Sequence, residues 1–142
     1  MEKIITGLQG RKKASTRLTR SSKLFKTIIA AIHDKKGDAV VSLDLRKIDE
    51  AVSDFFILCQ ADSPIQVKAI ADNIEADVRD ATEERPYHLE RGENWTLVDY
   101  VNIVVHIFTE ENRKFYDLES LWMDAGRMEH SDPQAGKGGG AG

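Results

Sequence analysis

Three carboxylates, Asp44, Asp49 and Asp54, are the side chains of this chain that could most directly do chemistry. Two of them held close together, either Asp44 with Asp54 or Asp49 with Asp54, could bind the Mg²⁺ ion of a nucleotidyl- or phosphoryl-transfer enzyme. Such an enzyme also needs a glycine-rich turn for phosphate, and the sequence has neither a Gly-Ser turn nor a G-x-x-x-x-G-K-[ST] loop. Isolated acidic residues are common on an acidic protein, so we expect no catalytic site, no metal ion and no cofactor.

Cysteine and histidine do not form a recognisable site either. Cys59 lies within an apolar run, which is typical of a small core residue rather than a nucleophile. Because there is no second cysteine, the sequence has no disulfide framework, and the scattered histidines make no zinc signature. His106 alternates with apolar neighbours on a predicted strand. It is therefore interpreted first as a partly buried core histidine and second as a partner-binding residue.

Aromatic side chains are concentrated between Trp95 and Trp122, a stretch that contains both tryptophans of the chain. Phe115 and Trp122 recur at helical spacing, which favours the core, and we expect Phe115 to be buried. Trp95 and Tyr116 lie at the end of an element or off that stripe. Large aromatic residues rimmed by carboxylates are typical of a binding hot spot for a basic protein, so Trp95 and Tyr116 are either core residues or binding residues.

Strands and helices must position these side chains. Apolar residues at a period of two predict strands over residues 39–45, 53–60, 86–90, 95–100 and 103–108. Apolar residues at helical spacing predict helices that begin after Ser22, at Ser63-Pro64 and after Thr109. This order of elements predicts a single-domain α/β fold, with a mixed five-stranded sheet flanked by helices.

Charge is distributed unevenly along the chain. Residues 1–36 carry ten Lys and Arg against two acidic residues, whereas the remainder carries ten against 22. An acidic body repels nucleic acid and attracts basic protein surfaces.

Composition and periodicity divide the chain into a flexible basic leader (1–20), a folded domain (21–125) and a flexible glycine-rich tail (126–142). Since no apolar run has the length of a membrane span and no signal peptide is recognisable, we expect a soluble, cytoplasmic protein.

Four segments of the chain resemble the ribosomal silencing factor family, also called the Iojap-like family. The resemblance spans about residues 36–125, and the segments occur in the family's order. They are Ser53-Asp54-Phe-Phe-Ile-Leu, Gln66-Val-Lys-Ala-Ile-Ala-Asp72, Trp95-Thr-Leu-Val-Asp-Tyr100 with Ile103-Val-Val-His-Ile-Phe108, and Phe115-Tyr-Asp-Leu-Glu-Ser-Leu-Trp122-Met-Asp-Ala125.

The resemblance implies a ribosome-binding protein that is not an enzyme. Members of the family dock on ribosomal protein L14 of the large subunit and sterically prevent the small subunit from joining, which lowers translation when nutrients run short. The family's fold is a mixed α/β sheet related to nucleotidyltransferases but without their catalytic motif. Transferred by motif, the resemblance implies contacts with L14 at Trp95, Asp99, Tyr100, Tyr116, Leu118 and Trp122, with His106 as a second-rank candidate.

The resemblance leaves an alternative function open. Organelle relatives assist large-subunit assembly, so an assembly factor that uses the same surface is the alternative function. The basic leader could reach nearby ribosomal RNA, and exposed apolar edges could support a homodimer.

The chain departs from the family pattern at three places. Val101-Asn102 replaces a usual Gly-Asp turn, and the loop between Glu90 and Trp95 is shorter than usual. In that loop an arginine separates Glu90 from Gly92, which are usually adjacent.

Overall fold

A mixed sheet of six strands organises the part of the chain that the structure describes. The structure is a computed structural model that describes residues 19, 20 and 22–133. Nearly all of the predicted basic leader and the part of the predicted glycine-rich tail after residue 133 lie outside these residues. Among the described helices, none combines the length and the apolar character needed to span a bilayer.

The elements follow one another in an order close to the predicted one. In chain order they are α1 (Lys23–Asp34), β1 (Asp38–Asp44), β2 (Phe55–Ala61), α2 (Pro64–Thr82), β3 (His88–Glu90), β4 (Trp95–Asp99), β5 (Ile103–Thr109), α3 (Glu110–Tyr116), α4 (Leu118–Leu121) and β6 (Gly126–Glu129).

The central strands of the sheet are buried on both faces. The strand order is β3-β4-β5-β2-β1-β6, with β2 and β5 in the middle. These two strands run parallel, from Phe55 opposite Ile103 to Ala61 opposite Thr109, and the other neighbouring pairs run antiparallel. Every residue of β4 is buried, as is β5 from Ile103 to Phe108. This confirms the predicted α/β fold with a mixed sheet flanked by helices.

The two faces of the sheet are covered by very different elements. Helices α1 and α2 cover the first face and form one core cluster with the side chains of Phe55, Ile57 and Val105. The second face carries another cluster, covered by the turn after β1 and by the short helices α3 and α4. Long helices bury the first face deeply, whereas the second face lies under a thinner layer that contains many aromatic rings.

The start of α2 shows how local sequence determines a helix end. Ser63 is the N-cap, and its hydroxyl accepts a hydrogen bond from the Gln66 backbone N–H at 3.2 Å. Pro64 occupies the first helical position, where its missing N–H costs nothing. The Gln66 side chain accepts from the Asp62 backbone N–H at 2.6 Å and donates to the carbonyl of Lys35 at 3.0 Å. The cap therefore also connects α2 to the end of α1.

A sixth strand, β6, is a difference from the five-stranded sheet that the sequence predicts. Residues 126–129, which the prediction places in the tail, pair antiparallel with β1 from Val41 opposite Glu129 to Asp44 opposite Gly126. Beyond the strand, the His130 backbone N–H donates to the carbonyl of Val40 at 2.8 Å. All four residues of β6 are exposed, so the segment has no apolar alternation that could reveal it. Pairing with an existing edge, rather than burial, creates this strand.

The turn between β4 and β5 holds a valine in an unfavourable backbone conformation. Val101 has φ 73°, in the left-handed region where a β-branched side chain is strained. The Asp99 carboxylate accepts a hydrogen bond from the Val101 backbone N–H at 2.7 Å, which stabilises the turn. A glycine at this position would adopt this conformation without strain, so the valine has an energetic cost.

We predict that Val101→Gly raises the free energy of unfolding by about 1 kcal/mol, because relief of the left-handed strain exceeds the entropy that glycine gains in the unfolded chain. Val101→Ala keeps the Cβ atom and should have a smaller effect. Urea unfolding followed by circular dichroism measures both variants. Equal or lower stability of the glycine variant would show that the turn is not strained.

Candidate functional site

Helices α3 and α4 and the residues that follow them present an apolar surface. Phe115 is 77% exposed, Leu121 63% and Met123 80%, whereas Tyr116 and Trp122 are half-buried. We call these five residues the aromatic face. Large apolar side chains exposed within one short segment make that segment a candidate interaction site.

Buried rings form a layer directly beneath the aromatic face. The Tyr116 ring lies 4.9 Å from the Trp95 ring, and the Trp122 ring packs edge-on against Phe56 with centroids 6.0 Å apart. His106 lies between the two buried rings, 5.7 Å from Trp95 and 4.6 Å from Phe56. The half-buried rings of the surface therefore rest on a continuous aromatic interior.

One hydrogen bond joins the members of this layer. The Trp95 indole Nε1–H donates to Nδ1 of His106 at 3.1 Å, and both side chains are buried. Because Nδ1 accepts, the neutral imidazole carries its proton on Nε2, which has no hydrogen-bond partner among the described residues. Burial lowers the pKa of His106 to about 3, so the imidazole is uncharged at neutral pH.

Exposed carboxylates occur in the same segment as the aromatic face, and we call them its rim. Residues 110–124 contain five acidic side chains and two basic ones. The basic ones are both engaged: Lys114 pairs with Glu110 at 3.3 Å, and the buried Arg113 pairs with Glu119 at 3.3 Å. Glu119 also accepts from Arg127 of β6 at 3.1 Å. The rim of the aromatic face is therefore negative overall, which suits a basic partner.

The structure places the seven residues predicted to contact a partner at two different depths. Tyr116 and Trp122 belong to the aromatic face. The other five are enclosed, so any role that they have in binding is indirect; they are Trp95, Asp99, Tyr100, His106 and Leu118. Trp95 is fully buried beneath Tyr116, which decides between the two interpretations that the sequence left open for Trp95.

The enclosed residues lie in different parts of the fold. The Asp99 carboxylate serves the turn at Val101, and Leu118 belongs to the core cluster of the second face. Tyr100 packs in the cluster of the opposite face, where burial, together with the carboxylates of Glu75 and Glu84, raises the pKa of its hydroxyl. Tyr100 therefore points away from the aromatic face and is not part of this surface.

Phe115 is exposed, although the sequence predicts that it is buried. It was expected in the core and is mostly exposed, because α3 ends at Tyr116 and Asp117 adopts a left-handed conformation with φ 41°. The helical spacing that links Phe115 to Trp122 therefore spans two separate helices and does not define one face. Leu121 and Met123 flank Trp122 in the sequence, and their positions off the predicted stripe were the signal for exposure.

Two of the three carboxylates considered for metal binding are engaged with other groups, and the third, Asp49, is exposed. The Asp44 carboxylate accepts two hydrogen bonds from the Arg46 guanidinium, at 2.9 and 2.7 Å, and these bonds lower its pKa. The buried Asp54 accepts from the Asn102 side chain at 3.1 Å. No cluster of His, Cys, Asp and Glu that could hold a metal ion occurs among residues 19, 20 and 22–133. Burial raises the pKa of the Cys59 thiol to about 12, which suits a core residue.

We predict that His106 makes the protein less stable in acid. The unfolded chain binds a proton at this residue below a pKa of about 6.5, whereas the native protein binds it only near 3. The contribution of the neutral His106 to stability is therefore present above about pH 6.5 and is lost as the pH falls toward 3. Between pH 7 and pH 4.5 this residue should lower the free energy of unfolding by about 2 to 3 kcal/mol.

Urea unfolding at a series of pH values checks this, with His106→Asn as the comparison. His130, whose pKa is also lowered by burial, contributes equally in both proteins and cancels. The variant should show a flatter pH dependence in this range. The same slope in both proteins would mean that His106 is protonated in the native state.

Several known proteins are similar to this chain over most of its length. A family model described as "Ribosomal silencing factor during starvation" matches residues 18–140. The ribosomal silencing factor RsfS of Halalkalibacterium halodurans is 33% identical over 114 residues, which cover 77% of this chain and 93% of that protein. The protein of the same name from Bacillus subtilis is 35% identical over 107 residues, which cover 72% and 86%. The chloroplastic protein Iojap of Zea mays is 35% identical over 79 residues, which cover 53% of this chain and 33% of Iojap.

Solved structures give the same result at the level of the fold. A crystal structure of a protein from Chromobacterium violaceum matches with a TM-score of 0.66 at 31% identity, covering 70% of this chain and 83% of that one. A structure from Bacillus halodurans matches with a TM-score of 0.62 at 34% identity, covering 70% and 93%. Since the family model matches most of the sequence, and the two bacterial RsfS relatives are 33% and 35% identical over 93% and 86% of their own length, the chain belongs to the ribosomal silencing factor family.

Proposed function

We propose that this protein binds the large ribosomal subunit through ribosomal protein L14 and thereby blocks association of the two subunits. The observation that carries the proposal is the aromatic face, an exposed apolar surface with a negative rim in a member of the ribosomal silencing factor family. Phe115, Leu121 and Met123 supply apolar area that binding would remove from water. Tyr116 and Trp122 supply rigid rings of the kind that dominate binding energies.

Charge supports a basic partner for this face. The carboxylates on the rim lie where they would meet the cations of a basic ribosomal protein without being buried themselves. Such peripheral charges mainly accelerate association and exclude wrong partners, while the aromatic centre supplies affinity. Contact of the basic leader with ribosomal RNA, self-association and a cytoplasmic location remain predictions from the sequence.

Repression by this mechanism needs affinity and no turnover. A domain seated where the small subunit must sit makes the two binding events mutually exclusive, so each weakens the other by the same factor. The rigid sheet behind the aromatic face suits this role, because it supplies bulk that does not yield when the small subunit approaches. An assembly factor would use the same face and would differ in when the face is occupied.

We predict that Phe115→Ala weakens binding to purified L14 by about 1 to 3 kcal/mol, which is roughly five- to 150-fold in the dissociation constant. Because the side chain is 77% exposed, the variant should fold with nearly unchanged stability. Isothermal titration calorimetry measures the affinity. Tyr87→Ala is the matched control, since Tyr87 is also a strongly exposed aromatic residue, at 70%, but it precedes the edge strand β3.

The control should bind as tightly as the unmodified protein. Equal affinity of the Phe115 and Tyr87 variants would remove the aromatic face from the contact. A failure of the unmodified protein to bind L14 at all would instead reject L14 as the partner.

We also predict that the protein lowers the fraction of joined subunits when purified large and small subunits are mixed. Sucrose-gradient sedimentation measures this fraction as the protein concentration rises. Phe115→Ala should need a higher concentration for the same effect, in proportion to its loss of affinity for L14. Undiminished joining with saturating protein on the large subunit would show that binding does not obstruct the small subunit.

A further inference from the structure

Two separate short segments carry the half-buried rings of the aromatic face. Tyr116 is the last residue of α3, which has seven residues, and Trp122 follows α4, which has four. Helices of this length are not stable by themselves in water. Their positions must therefore be determined by what lies beneath them, together with the hydrogen bonds at their ends.

Different buried rings support the two segments. Tyr116 rests on Trp95, whereas Trp122 rests on Phe56. Trp95 comes from β4 and Phe56 from β2, which are not neighbours in the sheet because β5 lies between them. His106 of β5 contacts both rings, so it is the residue through which the two supports are connected.

The two contacts of His106 differ in kind. Toward Trp95 the imidazole accepts a directional hydrogen bond from the indole N–H, at 3.1 Å. Toward Phe56 it offers a ring edge-to-face, with centroids 4.6 Å apart and planes at 61°. An aliphatic residue of similar volume could supply neither contact, and phenylalanine or asparagine could each supply one.

We propose that His106 is a positioning residue for partner docking, which holds the Trp95 and Phe56 rings in the orientation that Tyr116 and Trp122 require. This inference rests on the proposed function, because it concerns the surface that would bind L14. His106 itself is 1% exposed and does not touch the partner. It acts through the two rings beside it.

The opposite face of the sheet provides a comparison that separates positioning from general stability. Val105 precedes His106 on β5 but belongs to the core cluster under α1 and α2. Truncation of Val105 destabilises the same strand without altering the aromatic layer. A purely structural role for His106 would make the two positions equivalent in binding.

Two variants of His106 each remove one of its two contacts. His106→Phe keeps a ring against Phe56 and removes the acceptor for Trp95, whereas His106→Asn keeps an acceptor near the position of Nδ1 and removes the ring. Nuclear magnetic resonance of the two indole N–H groups, from Trp95 and Trp122, reports each side without any partner present. The chain has two tryptophans, so each signal can be assigned by its replacement with phenylalanine.

We predict that His106→Phe shifts the Trp95 indole signal and accelerates its exchange with deuterium, while the Trp122 signal stays close to its original position. His106→Asn should leave the Trp95 indole signal close to its original position and shift the Trp122 signal. Both variants should bind L14 about tenfold more weakly than the unmodified protein when compared as folded proteins. Val105→Ala should lower the melting temperature and leave both the indole signals and the affinity unchanged.

The resonance measurement keeps this inference separate from the proposed function. If the indole signals respond as expected but no protein binds L14, His106 positions the rings and the partner is wrong. The inference is overturned if neither variant moves the Trp122 signal, or if both bind L14 within twofold of the unmodified protein. If either variant fails to fold, the other still tests its own contact.

Discussion

A sheet whose central strands are apolar on both sides must be covered twice, and in this protein the two covers are unequal. The parallel pair of β2 and β5 exposes almost nothing, yet long helices protect only one of its faces. Short helices and a turn protect the other face, and they leave aromatic side chains partly uncovered. The aromatic face is thus a consequence of how the sheet completes its burial.

The aromatic layer beneath that face combines apolar packing with a single buried polar link. The hydrogen bond between Trp95 and His106 offsets the desolvation cost of the indole N–H and of Nδ1, whereas Nε2–H of His106 is buried without a partner among the described residues and keeps its cost. In return, the bond has a direction, which packing alone lacks. A ring held by both packing and a hydrogen bond offers the side chains above it one orientation, and a preorganised surface loses less entropy when it binds.

Charge is arranged so that the aromatic layer is uncharged and the rim is negative. Carboxylates near the sheet are engaged locally, as Asp44 is by Arg46, while those beside α3 and α4 lie at the surface. Glu119 is the exception that joins the two regions, because Arg113 and Arg127 pair with its two carboxylate oxygens and connect α3 and β6 to α4. The negative rim and the apolar centre together suit a basic protein surface better than nucleic acid.

Sequence alone determined most of the elements, because apolar spacing and capping residues such as Ser63 and Pro64 act locally. It also identified the family, since four motifs in order carry that information without coordinates. Tertiary structure decided which aromatic residues reach the surface. The left-handed conformation of Asp117 ends α3, so Phe115 does not share a helix face with Trp122. Trp95 is enclosed because Tyr116 lies over it. β6 likewise required the structure, because an exposed strand owes its existence to hydrogen bonds with a distant edge and leaves no apolar pattern of its own.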